Sequence, residues 1–185
     1  MTFHETQLRG VLIIEAEVYR DERGSFMPAW LPDRFKARGL DTSVAQASLA
    51  TNLRRGTIRG LHYQIAPMEE VKVIRAIRGA VFDVAVDLRP DSPTYCQWVG
   101  VELSAENRKM LYLPKGFAHG YQTLSDHAEV FYFVSAPYSP EHQRGARWND
   151  PAFGITWPLG APTVINERDA TYPDFVTAPV DVAGR

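Results

Sequence analysis

Hydrophobic and polar positions alternate with a period of two along most of this chain, the spacing of β-strands that bury one face. The clearest case is the run from Ala80 to Leu88. There Phe82, Val84, Val86 and Leu88 fall on one face and Val81, Asp83, Ala85 and Asp87 on the other. A strand face carrying two aspartates is either solvated or lines a polar cavity. The pattern predicts a preceding strand from Val71 to Arg78, joined to this one by a tight turn at Gly79. Further strands are predicted from Val11 to Tyr19, Gln97 to Leu103, Met110 to Leu113 and Glu129 to Val134, separated by Gly, Pro, Asn and Asp.

Helix signals are few. Asp33 is expected to cap a short helix through Arg34–Arg38 that stops at Gly39, and Ser104-Ala105-Glu106-Asn107 suggests one more turn. The C-terminal third, with Pro137, Pro140, Pro151, Pro158, Pro162 and Pro173, reads as ordered loops and short helical turns wrapping a β core. Many short strands spaced by turns predict a sandwich or barrel.

Composition narrows the function classes. At 185 residues the chain fits one domain, 1–185, with a frayed tail expected over about 177–185. A net charge of −2 offers no global field for nucleic acid, so any anion site must be a local cluster of Arg, Lys and His. No apolar run is long enough to span a membrane, and Met1-Thr2-Phe3-His4-Glu5 does not begin a secretion signal. Cys96 is the only cysteine, with no nucleophile partner beside it, so an inert thiol is expected. The cytoplasm follows as the expected location.

Two histidines stand in polar, glycine-rich settings within strand-like stretches: His62 in Arg59-Gly60-Leu61-His62-Tyr63-Gln64, and His119 in Pro114-Lys115-Gly116-Phe117-Ala118-His119-Gly120. Either alone reads as a half-buried structural histidine. With Arg59 and Lys72 on neighbouring strands the balance changes, because cations gathered with a base are costly unless an anionic ligand sits among them. Arginine forks onto a phosphate, and an ammonium in a pocket can stabilise an enolate oxygen. One spacing is awkward. Arg59 and His62 lie on opposite faces of an ideal strand, so a bend or bulge at Gly60 is required for both to reach one cavity.

Several motifs recur in order: the Arg59–Gln64 segment, Lys72, Val81–Arg89, Ser92-Pro93-Thr94, Trp98-Val99-Gly100, Pro114–Gly120, Arg144-Gly145, Arg147–Pro151 and Trp157-Pro158. Together they resemble the dTDP-4-dehydrorhamnose 3,5-epimerase family from about Gly10 to Phe175. The resemblance implies an all-β double-stranded β-helix, the cupin-type jelly roll, with a few short helices. It implies a homodimer with strand exchange, no cofactor and no metal. The implied activity is epimerisation, by proton exchange beside the ketone, of nucleotide-linked 4-keto-6-deoxy sugars at carbons 3 and 5.

By the same resemblance His62 is the base, and Asp169 is the carboxylate that orients it and fixes its tautomer. Lys72 lies near the ketone, and Tyr132 returns a proton from the opposite face. Read alone, Asp169 is a surface loop acid and Tyr132 a strand-core aromatic. Arg59, His119 and Gln46 match diphosphate or sugar contacts, Asp83 an acid near Lys72, and Arg23, Phe26 and Tyr138 nucleotide-side contacts. The chain departs from the family at Pro28, where a carboxylate is usual, and at Ala47-Ser48-Leu49-Ala50, where Asp-Asn-x-Ser is usual. Both departures bear on the nucleotide and predict relaxed base selectivity or a preference for a nucleotide other than dTDP. The alternatives are a 3-only epimerase or keto-isomerase on the same barrel, a sugar-binding module, and a metal-dependent cupin enzyme. The last would want a His-x-His pair, but Gly60 and Gln64 flank His62.

Overall fold

Two antiparallel sheets facing one another are the chain's answer to its alternating pattern. The structure is a computed structural model that describes residues 1–177. Its elements are β1 (Thr2–Glu5), β2 (Leu12–Glu15), β3 (Tyr19–Asp21), β4 (Gly24–Phe26), α1 (Pro32–Lys36), β5 (Gln46–Asn52), β6 (Ile58–Gln64), β7 (Lys72–Arg78), β8 (Ala80–Asp87), β9 (Trp98–Ser104), β10 (Met110–Leu113), β11 (Phe117–Thr123), β12 (Ala128–Val134), β13 (Gln143–Gly145) and α2 (Glu167–Thr171). One sheet runs β1-β2-β10-β7-β12-β5, the other β13-β6-β11-β8-β9, and β3-β4 form a separate hairpin. This is the double-stranded β-helix.

The core between the sheets comes from both. Ile74, Ala76, Leu111, Leu113 and Val130 of the first sheet meet Val81, Ala85, Leu103, Phe117 and Tyr121 of the second. Each sheet also covers its outer face. Trp30, Phe35 and Leu40 pack on Leu12, Ile14, Val73 and Tyr112, and the C-terminal loops bring Phe153 and Trp157 onto Ile58, Val84 and Val86. A fully buried Phe such as Phe35 contributes roughly 1.5–3 kcal/mol by leaving water.

Several expectations need correction. The single strand expected over Val11–Tyr19 is two strands broken at Ala16–Val18, because β3 leaves the sheet to pair with β4 in an exposed hairpin. The turn at Gly79 (φ +64°) does not close a hairpin. It carries the chain from β7 in one sheet to β8 in the other. Asp33 is not the cap of α1. Leu31 holds that position without a side-chain bond, Pro32 begins the helix, and Asp33 is an acid in its first turn. The frayed tail falls outside the described residues except for residue 177. The turn at Ser104 forms as a reciprocal pair, with Asn107 N donating to Ser104 Oγ at 2.9 Å and Ser104 N to Asn107 Oδ1 at 3.0 Å.

The two aspartates of β8 are both fully buried, so the polar interior, not solvent, explains that face. Asp87 binds Arg89 bidentately (2.8 and 2.6 Å) and accepts from Ser92 Oγ (2.6 Å) and Thr94 Oγ1 (2.7 Å). Burial alone would raise its pKa, but these bonds more than offset that and bring it from 3.8 down to about 2. A carboxyl depressed on folding stabilises above its unfolded pKa and loses that contribution as pH falls through the folded one. Unfolding stability is therefore expected to drop by about 2 kcal/mol between pH 6 and pH 2 from this group. Denaturant melts of the wild type and Asp87→Asn check it, and the variant should lack that portion of the acid loss.

Candidate active site

The awkward spacing of Arg59 and His62 is resolved by a bulge. His62 pairs with His119 of β11 and Arg59 pairs with Tyr121, so two residues of β6, Gly60 and Leu61, oppose Gly120 alone. The extra residue reverses the parity of the strand. Arg59 and His62 then share the face on which His119 and Tyr121 stand two apart. Only glycine suits position 60. Its φ is +113°, and a Cβ there would lie 2.6 Å from Gly120 Cα.

The same bulge places Asp169. The Gly60 amide donates to Asp169 Oδ2 at 2.9 Å, while Asp169 Oδ1 meets His62 Nε2 at 2.8 Å. The carboxylate is held from below by α2, whose N-cap Asn166 accepts from the Asp169 amide at 2.7 Å. Asp169 is fully buried, not a surface loop acid. Burial pushes its pKa up, but the His62 contact and the Gly60 amide prevail and hold it below the usual carboxylate range. An ionised carboxylate only accepts, so His62 Nε2 carries the hydrogen toward Asp169 and Nδ1 keeps the lone pair.

The cavity between the sheets has two adjoining parts that share His62, Lys72 and Tyr132. Arg59, His119, Tyr121 and Ala50 line one part. Gln46, Tyr63, Gln64, Glu70, Tyr138 and Gln143 are among those lining the other. His62 comes from the five-stranded sheet, whereas Lys72 and Tyr132 stand on adjacent strands of the facing sheet. Tyr132 therefore confronts His62 across the space while also packing against the core cluster between the sheets.

Arg59 lines the cavity and donates through Nη2 to the Thr51 carbonyl at 3.3 Å and through Nε to Asn52 Oδ1 at 2.8 Å. Tyr121 gives its hydroxyl to the same oxygen at 3.3 Å, and burial pushes its pKa up to about 12, so it stays a donor. His119 Nε2 bonds both oxygens of buried Asp83 at 3.0 Å. Lys72 Nζ lies 2.9 Å from Glu70 Oε1. Asp83 thus bonds His119 and is not the acid bonded to Lys72. Burial also raises the Cys96 thiol above its ordinary value.

Arg23 and Phe26 do not join this cavity within the single chain. Both stand on the exposed hairpin, Arg23 paired with Asp21 at 2.5 Å and Phe26 69% exposed. Sequence reasoning missed Glu70, Gln143 and the role of Gln64. Gln64 accepts from the Ser139 amide at 2.7 Å and donates to the Pro137 and Met68 carbonyls, so it ties β6 to the loop carrying Tyr138. Glu70 could have been suspected from its place two residues before Lys72. Nothing local marks Gln143. Among the described residues no three His, Cys, Asp or Glu side chains cluster as metal ligands, and no helix is long and apolar enough to cross a membrane.

A cupin-type barrel in which a half-buried imidazole, paired with a buried carboxylate, faces a lysine and a tyrosine defines a class of acid–base enzymes acting within the barrel. Comparison with known proteins sharpens the class. Residues 5–177 match the family model for dTDP-4-dehydrorhamnose 3,5-epimerase. The dTDP-4-dehydrorhamnose 3,5-epimerase of Methanothermobacter thermautotrophicus is 44% identical over 180 residues, covering 96% of each chain. The Bacillus anthracis enzyme of that name, crystallised with TDP and PPi bound, superposes with a TM-score of 0.90 at 38% identity, covering 94% of this chain and 99% of that one. The Legionella pneumophila dTDP-6-deoxy-D-glucose-3,5-epimerase, in complex with dTDP-4-keto-L-rhamnose, gives 0.86 at 38% identity, covering 91% and 89%. This chain belongs to the dTDP-4-dehydrorhamnose 3,5-epimerase family.

Proposed function

We propose that this enzyme inverts carbons 3 and 5 of a nucleotide-diphosphate-linked 4-keto-6-deoxy sugar, with His62, Asp169, Lys72 and Tyr132 as its chemical machinery. The observation that carries the assignment of roles is the placement of His62 opposite Lys72 and Tyr132 in one cavity. Carbons 3 and 5 both flank the ketone, so a proton on either is acidified by the same carbonyl. His62 Nδ1 takes that proton while Asp169 steadies the imidazolium. The C–H electron pair moves into the carbonyl, whose oxygen becomes an enolate held by the Lys72 ammonium. Collapse of the enolate takes a proton from the Tyr132 hydroxyl on the other face, which inverts the carbon. In this reading Arg59, His119 and Gln46 meet the diphosphate and sugar oxygens, and Tyr138 the nucleotide side.

Proton NMR of a dTDP-linked 4-keto-6-deoxy sugar incubated with the protein in deuterated water tests this. Deuterium should enter at carbons 3 and 5 with inverted products. Exchange confined to carbon 3 would make the enzyme a 3-epimerase, and no exchange would contradict the reading.

The reading extends to a homodimer in which a partner's hairpin brings Arg23 and Phe26 to the cavity. The edge strand β5 with Leu49 56% exposed, and Tyr19 and Phe26 bare on β3-β4, support it. Light scattering should give the mass of two chains. A lone free thiol suits the reducing cytoplasm, where we place the enzyme. Pro28 has no hydrogen-bonding side chain or N–H to offer a base. The dTDP complex is therefore expected to exceed those of UDP, CDP and GDP by less than tenfold in affinity, since one hydrogen bond is worth about 0.5–1.5 kcal/mol. Calorimetric titration of the four nucleotides checks it, and a preference for dTDP of tenfold or more contradicts it.

A further inference from the structure

Glu70 has no part in the chemistry above, yet it is the one carboxylate among the described residues lining the part of the cavity that holds Tyr138. Its side chain is 12% exposed and that of Lys72 10%, so the ion pair between them at 2.9 Å is largely withdrawn from water. Lys72 Nζ also donates to the His62 carbonyl at 3.4 Å. An ammonium has three N–H groups and no acceptor. With a carboxylate and a carbonyl on two sides, one direction remains for an incoming oxygen.

A negative charge in a cavity built for an anionic substrate needs a reason, because it opposes the diphosphate. A lysine without that carboxylate would be a compact cation on a flexible four-carbon stem, open to whichever anion lies nearest. In a nucleotide sugar the strongest anion is the diphosphate, not the ketone. Arg59 and His119, read as diphosphate contacts, line the same part of the cavity as Lys72, so the diphosphate and this ammonium share one space.

We propose that Glu70 is a positioning residue that directs the Lys72 ammonium at the ketone oxygen and screens it from the diphosphate. The proposal rests on the reading of Lys72 as the cation that holds the enolate. Its signature is a split. Without Glu70, turnover falls while affinity for a bare diphosphate rises.

Glu70→Gln, Glu70→Ala and Lys72→Met are compared with the wild type for kcat, KM and inhibition by inorganic pyrophosphate. Losing a whole oxyanion donor costs ~10²–10³ in kcat, so loosening one is expected to cost ~10-fold in Glu70→Gln and up to ~10²-fold in Glu70→Ala. Pyrophosphate should bind both Glu70 variants about 3–10-fold tighter, because a like charge has gone. If Glu70→Ala fails to fold, the isosteric Glu70→Gln still reads both quantities. Wild-type turnover in Lys72→Met would overturn the reading of Lys72 itself, and the proposal with it. An inactive Lys72→Met beside unchanged kcat and pyrophosphate binding in the Glu70 variants would overturn the role of Glu70 alone. Turnover and pyrophosphate binding weakened together would mark Glu70 as merely structural and also overturn it.

Discussion

His62→Ala is expected to slow deuterium exchange at both carbons flanking the ketone by ~10²–10⁴, the usual loss on removing a general base. The size of the effect follows from how completely the site commits this side chain. Its Nε2 is turned toward Asp169 at 2.8 Å, and that carboxylate is fully buried and held ionised. The lone pair on Nδ1 is thereby left for the substrate. His119, the other histidine lining the cavity among the described residues, stands on β11 and is bonded to Asp83 at 3.0 Å. Melting curves should show a folded protein, since His62 is only half-buried and the Gly60 amide still holds Asp169. Wild-type exchange in the variant would remove His62 from the mechanism.

Tyr132→Phe should behave differently. In the proposed mechanism deprotonation needs His62 and Lys72, which the change leaves in place, so washout of the substrate's own protons is expected to continue. Inversion needs a proton from the other face, which phenylalanine cannot give. The expected outcome is exchange within about tenfold of wild type, while formation of the inverted sugar falls by ~10²-fold or more. Comparing deuterium incorporation with product stereochemistry in one NMR experiment separates the two rates. The position favours this outcome because Tyr132 stands on β12 of the sheet opposite His62, on the strand next to Lys72. Parallel loss of both rates would return Tyr132 to a packing role.

Much of the strand content was legible because side-chain alternation is a local property of the pleat. Met110–Leu113 occurs with the predicted bounds, and the strands expected from Val71, Ala80, Gln97 and Glu129 shift by a residue at one end or both. Less legible were elements that are short or carry few apolar residues. β1, β4 and β13 hold three or four residues each and lack the apolar run that marks Met110–Leu113. β5 carries mostly small and polar residues, and its strand character comes from its pairing with β12 along its whole length.

What this sequence determined by itself is the alternation that makes an all-β chain, the residue types able to move a proton and hold an anion, and the ordered motifs of its family. The need for a bulge at Gly60 was also written in it, since Arg59 and His62 are three apart and strand faces repeat every two. Tertiary structure alone decided the rest. Asp169 reaches His62 across 107 positions, and Asp83 reaches His119 across 36. No local rule relates residues so far apart. Sheet register and the packing of two facing sheets set those distances, and they also enclose the sequence-local Glu70–Lys72 pair in a cavity. They equally left Arg23 and Phe26 on an exposed hairpin, because β3 and β4 pair with each other and not with the barrel. A side chain's chemistry belongs to its own position, but its partner is chosen by the way the whole chain buries its apolar faces.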